Sequence, residues 1–383
     1  MNKRDIVLFL GAGFSRDGVC LPLMSEFGEF SKSALRGIER HYKKKAREAA
    51  PMLFKAGNAF HEFQNFCLNN ITLKKKDDIN NLETIFCIAE ALIESNKKEK
   101  RINNQKVSNI VKNIPIWLWK VYQQFPPWNE NYSHRDKINQ KVYFDFFEII
   151  KKIAERLIVI TTNYDLVFEH YSNQENIKCF YPIKNYKEIS VTSSQKKYIF
   201  VGENNDKDAI ALCKLHGSIN FFSQNKNEDN KINIVNDLGD SLGIGKSGKW
   251  ENKIALFALD SIWQLKQKYG KELIPAIIPP TYAKLTKKNW LREIWSRAFD
   301  AIVQAKKIIF IGYSFPESDG FMRALFHGAM SFRQGPPKVF VIDPCNSVHK
   351  RYRNFFNEAY IKIKPKKQTL EIAIKDTFKK IIS

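Results

Sequence analysis

Five short apolar runs, each followed closely by a glycine or a polar residue, constrain the fold of this chain most strongly. They occupy residues 5–10, 157–161, 211–215, 307–311 and 338–342. A continuous apolar run this short is typical of a strand buried on both faces, as strands of parallel sheets are. Apolar residues at helical spacing over 289–305 lead directly into the fourth run. The pattern predicts an α/β fold, with a Rossmann-like parallel sheet and helices on both faces.

Two segments do not fit a simple alternation of strands and helices. The stretch 25–150 is rich in Lys, Phe and helix-favouring residues, and it is too long for a crossover between two strands. We therefore predict a large helical insertion subdomain at 25–150 and a core formed by about 1–24 and 151–383. The stretch 223–250 is rich in Asn, Asp, Gly, Ser and Lys, and we expect a mobile loop or a weakly ordered excursion there.

Composition narrows the class of protein. A chain of 383 residues with 44% hydrophobic content can bury a substantial core. No apolar run approaches the roughly 18 residues needed to span a bilayer, so we expect a soluble, cytoplasmic protein with no membrane partner. Its six cysteines are widely scattered, which argues against a disulfide framework, a zinc ribbon or a redox pair.

The formal charge of +22 indicates attraction to nucleic acid or to an acidic partner. Lysine clusters at 43–45, 74–76, 97–101 and 362–367 favour such a surface. However, only 14 of the 62 basic residues are arginine, and Lys and Asn are both abundant. Simple compositional bias therefore remains an alternative explanation of the charge.

Residues that follow the first two runs are candidate ligand contacts, because ligands of open parallel sheets bind beyond the carboxyl ends of the strands. The first run leads into GAGFS, residues 11–15, a glycine turn that can present backbone N–H groups to a phosphate. Arg16 replaces the third glycine of the dinucleotide fingerprint, so a plain tight turn is an alternative. The second run leads into TTNYD, residues 161–165, which could equally be a helix N-cap.

The other three runs also end at residues that could contact a ligand. His216 follows the third run, and a buried core histidine is the alternative to a catalytic one. After the fourth run, Gly312 and Ser314 could bring the backbone close to a ligand, while Asp319 or the serine before it could cap the next helix. Asp343 follows the last run and could accept hydrogen bonds from ribose hydroxyls.

Five blocks of the sequence together resemble a known family. In chain order they are VLFLGAGFS, VITTNYD, CKLHGS, IIFIGYSFPESD and VFVID. They are similar to the sirtuin-like NAD-binding domain family, specifically its bacterial branch with a large helical insertion. The resemblance covers separate blocks of the predicted core, does not extend to the insertion, and implies that NAD is bound as a substrate.

The resemblance also implies roles for individual residues. Asn163 would orient the nicotinamide ribose and the attacking water, Asp165 would contact the nicotinamide carboxamide, and His216 would be the general base. Cleavage of the nicotinamide–ribose bond needs no strong acid because the leaving group is already cationic, and a neutral histidine is a suitable base. The other implied NAD contacts are Gly11, Ala12, Gly13, Ser15, Thr162, Gly312, Ser314 and Asp343.

Two departures from the sirtuin deacylases bear on the reaction. Those enzymes carry a four-cysteine zinc ribbon shortly after the histidine and a Pro-Asp-Phe-Arg stretch after the glycine turn. Here residues 218–230 contain no cysteine, and GVCLPLMSEF stands in place of the second motif. We therefore expect no zinc ribbon and no metal, and we expect water rather than an acyl-lysine as the acceptor. This predicts an NAD hydrolase (NAD+ glycohydrolase) that releases nicotinamide and ADP-ribose.

Bacterial proteins of this branch are similar to anti-phage defence effectors that deplete NAD. Some work as multi-subunit assemblies with a HerA-type DNA-translocating ATPase, so the resemblance implies a homo-oligomer and a partner of that kind. The main alternative is a basic scaffold that binds NAD or ADP-ribose and either binds DNA or supports a nuclease or ATPase complex. Salt-sensitive DNA binding would favour the scaffold.

Overall fold

A seven-stranded parallel sheet forms the centre of the computed structural model. The residues that the structure describes are 4–19, 21, 23–42, 51–70, 81, 84–85, 87–89, 91–92, 113–118, 121, 139, 141–189, 200–202, 206, 208–224, 231–235, 240–244, 250–254, 273–278, 288–317, 319–356 and 368–378. The strands in spatial order are β13 (Lys338–Ile342), β12 (Lys307–Ile311), β1 (Ile6–Leu10), β2 (Leu157–Thr161), β6 (Ile210–Lys214), β3 (Cys179–Tyr181) and β5 (Phe200–Val201).

The five predicted strands are all present, within one residue of the predicted bounds. Every residue of β1, β2 and β6 is buried, as expected for strands covered on both faces. The register aligns their carboxyl ends, because Leu10 pairs with both Thr161 and Ile311. The residues that follow these strands therefore lie at one edge of the sheet.

The strand order changes direction at β1. From β1 the chain places β2, β6, β3 and β5 on one side, and it then returns to place β12 and β13 on the other. A crevice forms outside the carboxyl ends of the strands at such a switch point, and it is the usual ligand site of open α/β sheets. The switch point here lies between the ends of β1 and β12.

Helices flank the sheet, which confirms the Rossmann-like α/β prediction. They are α1 (Ala12–Val19), α2 (Phe27–Tyr42), α3 (Pro51–Asn70), α4 (Lys141–Lys151), α5 (Val167–Gln174), α6 (Asn289–Gln304), α7 (Gly320–Ser331), α8 (Asn346–Phe355) and α9 (Leu370–Ala373). The helix predicted at 289–305 corresponds to α6, whose buried side includes Trp290, Leu291 and Ile294.

The regular elements of the predicted insertion that the structure describes are helical. Helices α2, α3 and α4 fall within or at the end of 25–150. Helix α4 packs on α1, where Tyr143 and Phe146 lie against Phe14. The subdomain boundaries near 25 and 150 remain predictions.

The prediction of a loop at 223–250 is wrong for the described residues of that stretch. They contribute to a four-stranded sheet and to a two-stranded hairpin. The strands of the first, in spatial order, are β11 (Leu273–Ile277), β7 (Gly217–Gln224), β8 (Ile232–Val235) and β4 (Tyr186–Ile189). The hairpin pairs β9 (Asp240–Ile244) with β10 (Trp250–Ile254). For β7 and β8, pairing with the distant strands β11 and β4 outweighs the low β-propensity of the local composition, whereas β9 and β10 pair locally.

Several sequence features fall outside the described residues, namely the four lysine clusters and Ser318. Within the described ranges, no helix is both long and apolar enough to cross a membrane. The five cysteines in those ranges are free, as their scattered positions predict.

Candidate active site

Two glycine turns interlock at the switch point. The Gly13 amide donates to the Gly312 carbonyl at 2.8 Å, and the Gly11 amide donates to the Ile311 carbonyl at 3.0 Å. Gly312 has φ +60°, and a Cβ at this position would lie 2.3 Å from the Phe14 nitrogen. The close backbone approach made by Gly312 is therefore to the first glycine turn, and it sets the position of α1 relative to β12.

The side-chain amide of Asn163 is fixed in one orientation. Its Nδ2 donates to the Gly11 carbonyl at 2.9 Å and to Ser15 Oγ at 3.1 Å. A backbone carbonyl can only accept, so the nitrogen must face Gly11 and both of its hydrogens are used. The backbone is held as well, because the Asn163 amide donates to Thr161 Oγ1 at 3.0 Å. Asn163 Oδ1 is thus the atom left to accept a hydrogen bond from a ligand.

Asp165 links α1 to the start of α5. Ser15 Oγ donates to Asp165 Oδ2 at 2.8 Å, and the Val167 amide donates to Asp165 Oδ1 at 2.9 Å. The carboxyl group therefore binds the first amide of the helix and also contacts the glycine turn, although the N-cap residue of α5 is Leu166 and not a residue of TTNYD. Burial raises the pKa of Asp165, while the charge of Lys214 opposes this shift.

His216 lies where the two larger sheets meet, between the end of β6 and the start of β7. The loop after β2 is bonded to this junction: the Leu215 amide donates to the Thr161 carbonyl at 2.9 Å, and the Ile219 amide donates to the Tyr164 carbonyl at 3.0 Å. The rings of Tyr164 and His216 have centroids 6.2 Å apart. His216 is therefore held beside the segment that carries Asn163, with 6% of its surface exposed.

The turn at Gly217 determines how the chain leaves His216. Gly217 has φ +77°, and a Cβ there would lie 2.1 Å from the Ala276 carbonyl oxygen. The His216 carbonyl accepts from the Ile278 amide at 2.8 Å. Only glycine fits this turn, because a larger residue would push β11 away.

Asp343 and Ser314 lie on the other side of the switch point. The Gly312 amide donates to the Ile342 carbonyl at 3.0 Å, which brings the end of β13 beside the glycine turns. Asp343 Oδ1 accepts from the Cys345 amide at 2.8 Å, and burial raises the pKa of Asp343. The Ser314 side chain is exposed, and its carbonyl accepts from Arg351 Nε at 2.8 Å.

The remaining candidates have simpler positions. Ala12 is the half-buried first residue of α1. Thr162 is half-buried beside β1, and its amide donates to the Leu10 carbonyl at 3.4 Å. Asp319 caps α7, because its Oδ1 accepts from the Met322 amide at 3.3 Å. It is one of the two residues that the sequence offered as the cap of this helix.

Two buried polar features near the site, an ion pair and a tyrosine hydroxyl, were not predicted from the sequence. Lys214, on β6, pairs with Glu169 on α5, and both side chains are 1% exposed. Tyr143, on α4, donates to the Phe14 carbonyl at 2.7 Å. A single lysine inside an apolar run was a detectable signal, because a buried charge requires a partner. Nothing in the sequence around Tyr143 indicates that its hydroxyl contacts the glycine turn.

The site as a whole suits an extended, polar ligand. Asn163, Asp165 and His216 lie at the ends of β2 and β6, while Ser314 and Asp343 lie at the ends of β12 and β13. A ligand that crossed the end of β1 could contact both groups at once. A dinucleotide has this form, with two polar halves joined by a diphosphate that could lie near the amino end of α1. Within the described ranges, no group of three or more His, Cys, Asp or Glu residues could hold a metal ion.

Comparison with known protein families identifies the family of this chain. No curated protein matched the chain. A family model described as SIR2-like domain matches residues 157–364, just over half of the chain. The match begins at β2, includes the ends of β6, β12 and β13, and leaves out β1 with its glycine turn. On this match, the chain belongs to the SIR2-like domain family.

Proposed function

We propose that this protein is an NAD hydrolase that cleaves the nicotinamide–ribose bond and releases nicotinamide and ADP-ribose. The observation that carries the proposal is the fixed amide of Asn163, which leaves Oδ1 as an acceptor at the carboxyl edge of the sheet, on the segment that is bonded to the junction carrying His216. Membership of the SIR2-like domain family supports an NAD-related activity.

The proposed reaction balances with water as the only co-substrate. The bond between ribose C1′ and the pyridinium nitrogen breaks, and its electron pair neutralises the nicotinamide ring. A water oxygen bonds to C1′, with its proton transferred to His216 and then to solvent. Asn163 Oδ1 accepts a hydrogen bond from this water and places a partial negative charge near the cationic ribose.

The other candidates would bind and orient NAD. Asp165 would contact the nicotinamide carboxamide, although Ser15 and Val167 already donate to its two oxygens, so it would do so with remaining lone pairs. Asp343, at the end of β13, would accept from the adenosine ribose. The glycine turns and Ser15 would line the diphosphate and the ribose.

His216→Ala and Asn163→Ala test this assignment. We expect nicotinamide release to fall by about 10²–10⁴-fold for the histidine and by about 10²–10³-fold for the asparagine. His327→Ala and Asn173→Ala are matched controls, because His327 is exposed on α7 and Asn173 lies on α5. Wild-type turnover in either site variant, with circular dichroism unchanged, would show that the catalytic assignment is wrong.

We further propose that the protein is an anti-phage effector that forms a homo-oligomer in the cytoplasm and works with a HerA-type ATPase. The sequence blocks and the charge of +22, which suits a DNA-linked partner, support this step. Light scattering after size-exclusion chromatography, with and without the co-expressed ATPase, tests it. A stable monomer whose size and activity neither the ATPase nor DNA changes would contradict the partnership.

A second candidate function is a basic scaffold that binds NAD or ADP-ribose together with DNA. The observation that favours it is the same charge of +22. A scaffold should bind DNA with an affinity that falls steeply as salt rises. It should also bind NAD without consuming it, and this second property separates it from the hydrolase.

A further inference from the structure

Lys214 carries a positive charge in one of the most buried parts of the molecule. It is the last residue of β6, two positions before His216, and its side chain is 1% exposed. An ammonium group in such a place is costly unless charge and hydrogen bonding compensate for the lost water. The contacts of Lys214 therefore indicate why the position carries a charge.

Glu169 supplies the compensating charge. Lys214 Nζ lies 2.9 Å from Glu169 Oε1, and the glutamate is equally buried in the first turn of α5. The same oxygen accepts from the Tyr181 hydroxyl at 2.9 Å, and Asn220 Nδ2 donates to that hydroxyl at 3.1 Å. The ion pair is thus held in place by β3 and β7 as well as by α5 and β6.

The second contact of Lys214 is with the candidate site. Nζ also donates to the backbone carbonyl of Asp165. The carboxyl group of the same residue accepts from Ser15 Oγ, and Ser15 Oγ accepts from Asn163 Nδ2. Asp165 therefore joins two sets of hydrogen bonds. Its backbone carbonyl accepts from Lys214, and its carboxyl group is linked through Ser15 to the Asn163 amide.

Fold stability alone does not explain this arrangement. Replacing a buried ion pair by apolar residues of similar volume is often neutral or stabilising. The Asp165 carbonyl satisfies one donor of the buried ammonium group, and this acceptor belongs to the turn that carries the candidate site residues. The contact therefore also suits a group that fixes the turn between β2 and α5.

We infer that Lys214 is a positioning residue, whose ammonium group, paired with Glu169, fixes the Asp165 peptide and through it the orientation of the Asn163 amide. This inference rests on the proposed function for its effect on turnover, but its effect on the turn is independent of that function.

The test compares K214M/E169Q with E169Q. The glutamine side chain introduced by E169Q keeps an oxygen for the Tyr181 hydroxyl and for Lys214, so this variant loses the ion pair but retains the bond from Lys214 to Asp165. K214M/E169Q lacks both and leaves no uncompensated buried charge. E169Q does leave the Lys214 ammonium group without its counter-ion, so urea denaturation first checks that both variants are folded under the assay conditions, and the wild type replaces E169Q as the comparison if that variant is not. The kcat of nicotinamide release should be close to wild type in E169Q and about 10²-fold lower in K214M/E169Q, with little change in KM.

Backbone hydrogen exchange gives a readout that does not depend on catalysis. The Asn163 and Val167 amides are bonded within the turn, so they should exchange faster in K214M/E169Q than in E169Q. Amides of β1 and β2 should exchange equally in both. If the wild type does not cleave NAD, the proposed function fails while hydrogen exchange still decides this inference.

Two outcomes would overturn the inference. One is equal exchange at Asn163 and Val167 in the two variants, because the Lys214 bond would then not hold the turn. The other is failure of K214M/E169Q to fold while E169Q folds, because Lys214 would then be needed for the fold itself.

Discussion

Gly312→Ala should separate the two glycine turns on which the candidate site depends. The added methyl group would lie 2.3 Å from the Phe14 nitrogen, so the turns must move apart by roughly 1 Å to reach ordinary contact. At φ +60° an alanine costs about 1–2 kcal/mol. Losing the bond from the Gly13 amide to the Gly312 carbonyl costs about 1 kcal/mol more. The free energy of unfolding should therefore fall by about 2–4 kcal/mol, allowing for partial relaxation.

Urea denaturation compares Gly312→Ala with Gly335→Ala, because a Cβ at Gly335 meets no atom within 4 Å. The control should change the free energy of unfolding by no more than about 0.5 kcal/mol. NAD affinity should fall in Gly312→Ala alone, since the turn that positions α1 is displaced. Equal stability and equal NAD affinity in the two variants would refute the interlocking of the turns.

Three further predictions concern single side chains. Tyr143→Phe removes the hydroxyl that donates to the Phe14 carbonyl and accepts from the Gly18 amide. Chemical denaturation should show that the free energy of unfolding falls by about 1–3 kcal/mol. An unchanged free energy of unfolding would mean that these bonds between α4 and α1 do not stabilise the fold. Asp343→Ala should raise the Kd for NAD, measured by calorimetry, more than it lowers turnover at saturating NAD; the reverse pattern would contradict an adenosine-side role. Burial raises the pKa of Asp343, so the folded state binds more protons than the unfolded state and stability falls as pH rises from the unfolded pKa through the folded one. Asp343→Asn removes this loss. The free energy of unfolding of the variant, relative to that of the wild type, should therefore increase when denaturation is measured at pH values from about 4 to about 7. A relative free energy of unfolding that decreases would contradict the direction of the Asp343 pKa shift.

Five of the seven strands of the central sheet could be predicted because their signal is local, whereas the short β3 and β5 were not predicted. Each strand is a continuous apolar run: in β1, Ile6 and Leu8 lie on one face, Val7 and Phe9 lie on the other, and all four are buried. The same reasoning placed the glycine turn, Asn163 and Asp165 at one edge, and the structure brings them together through Ser15.

The second sheet could not be predicted because its signal is not local. Strand β7 pairs with β11, far along the chain, where Gln224 aligns with Leu273. The apolar residues of β8, such as Ile232 and Ile234, are buried, but the Asn, Asp, Gly and Ser residues on either side of them give the stretch the composition of a loop. The contacts of Lys214 could not be predicted either, because its partners Glu169 and Asp165 are 45 and 49 positions away in the sequence.

The most direct test of the central claim is to quantify nicotinamide and ADP-ribose after incubating purified protein with NAD. The wild type is measured alone and with DNA and a HerA-type ATPase, beside Asn163→Ala under the same conditions. Hydrolysis predicts equal amounts of the two products from the wild type in at least one condition and at least about 10²-fold less of both from the variant. Bound NAD with no product under any condition would contradict hydrolysis and favour the scaffold.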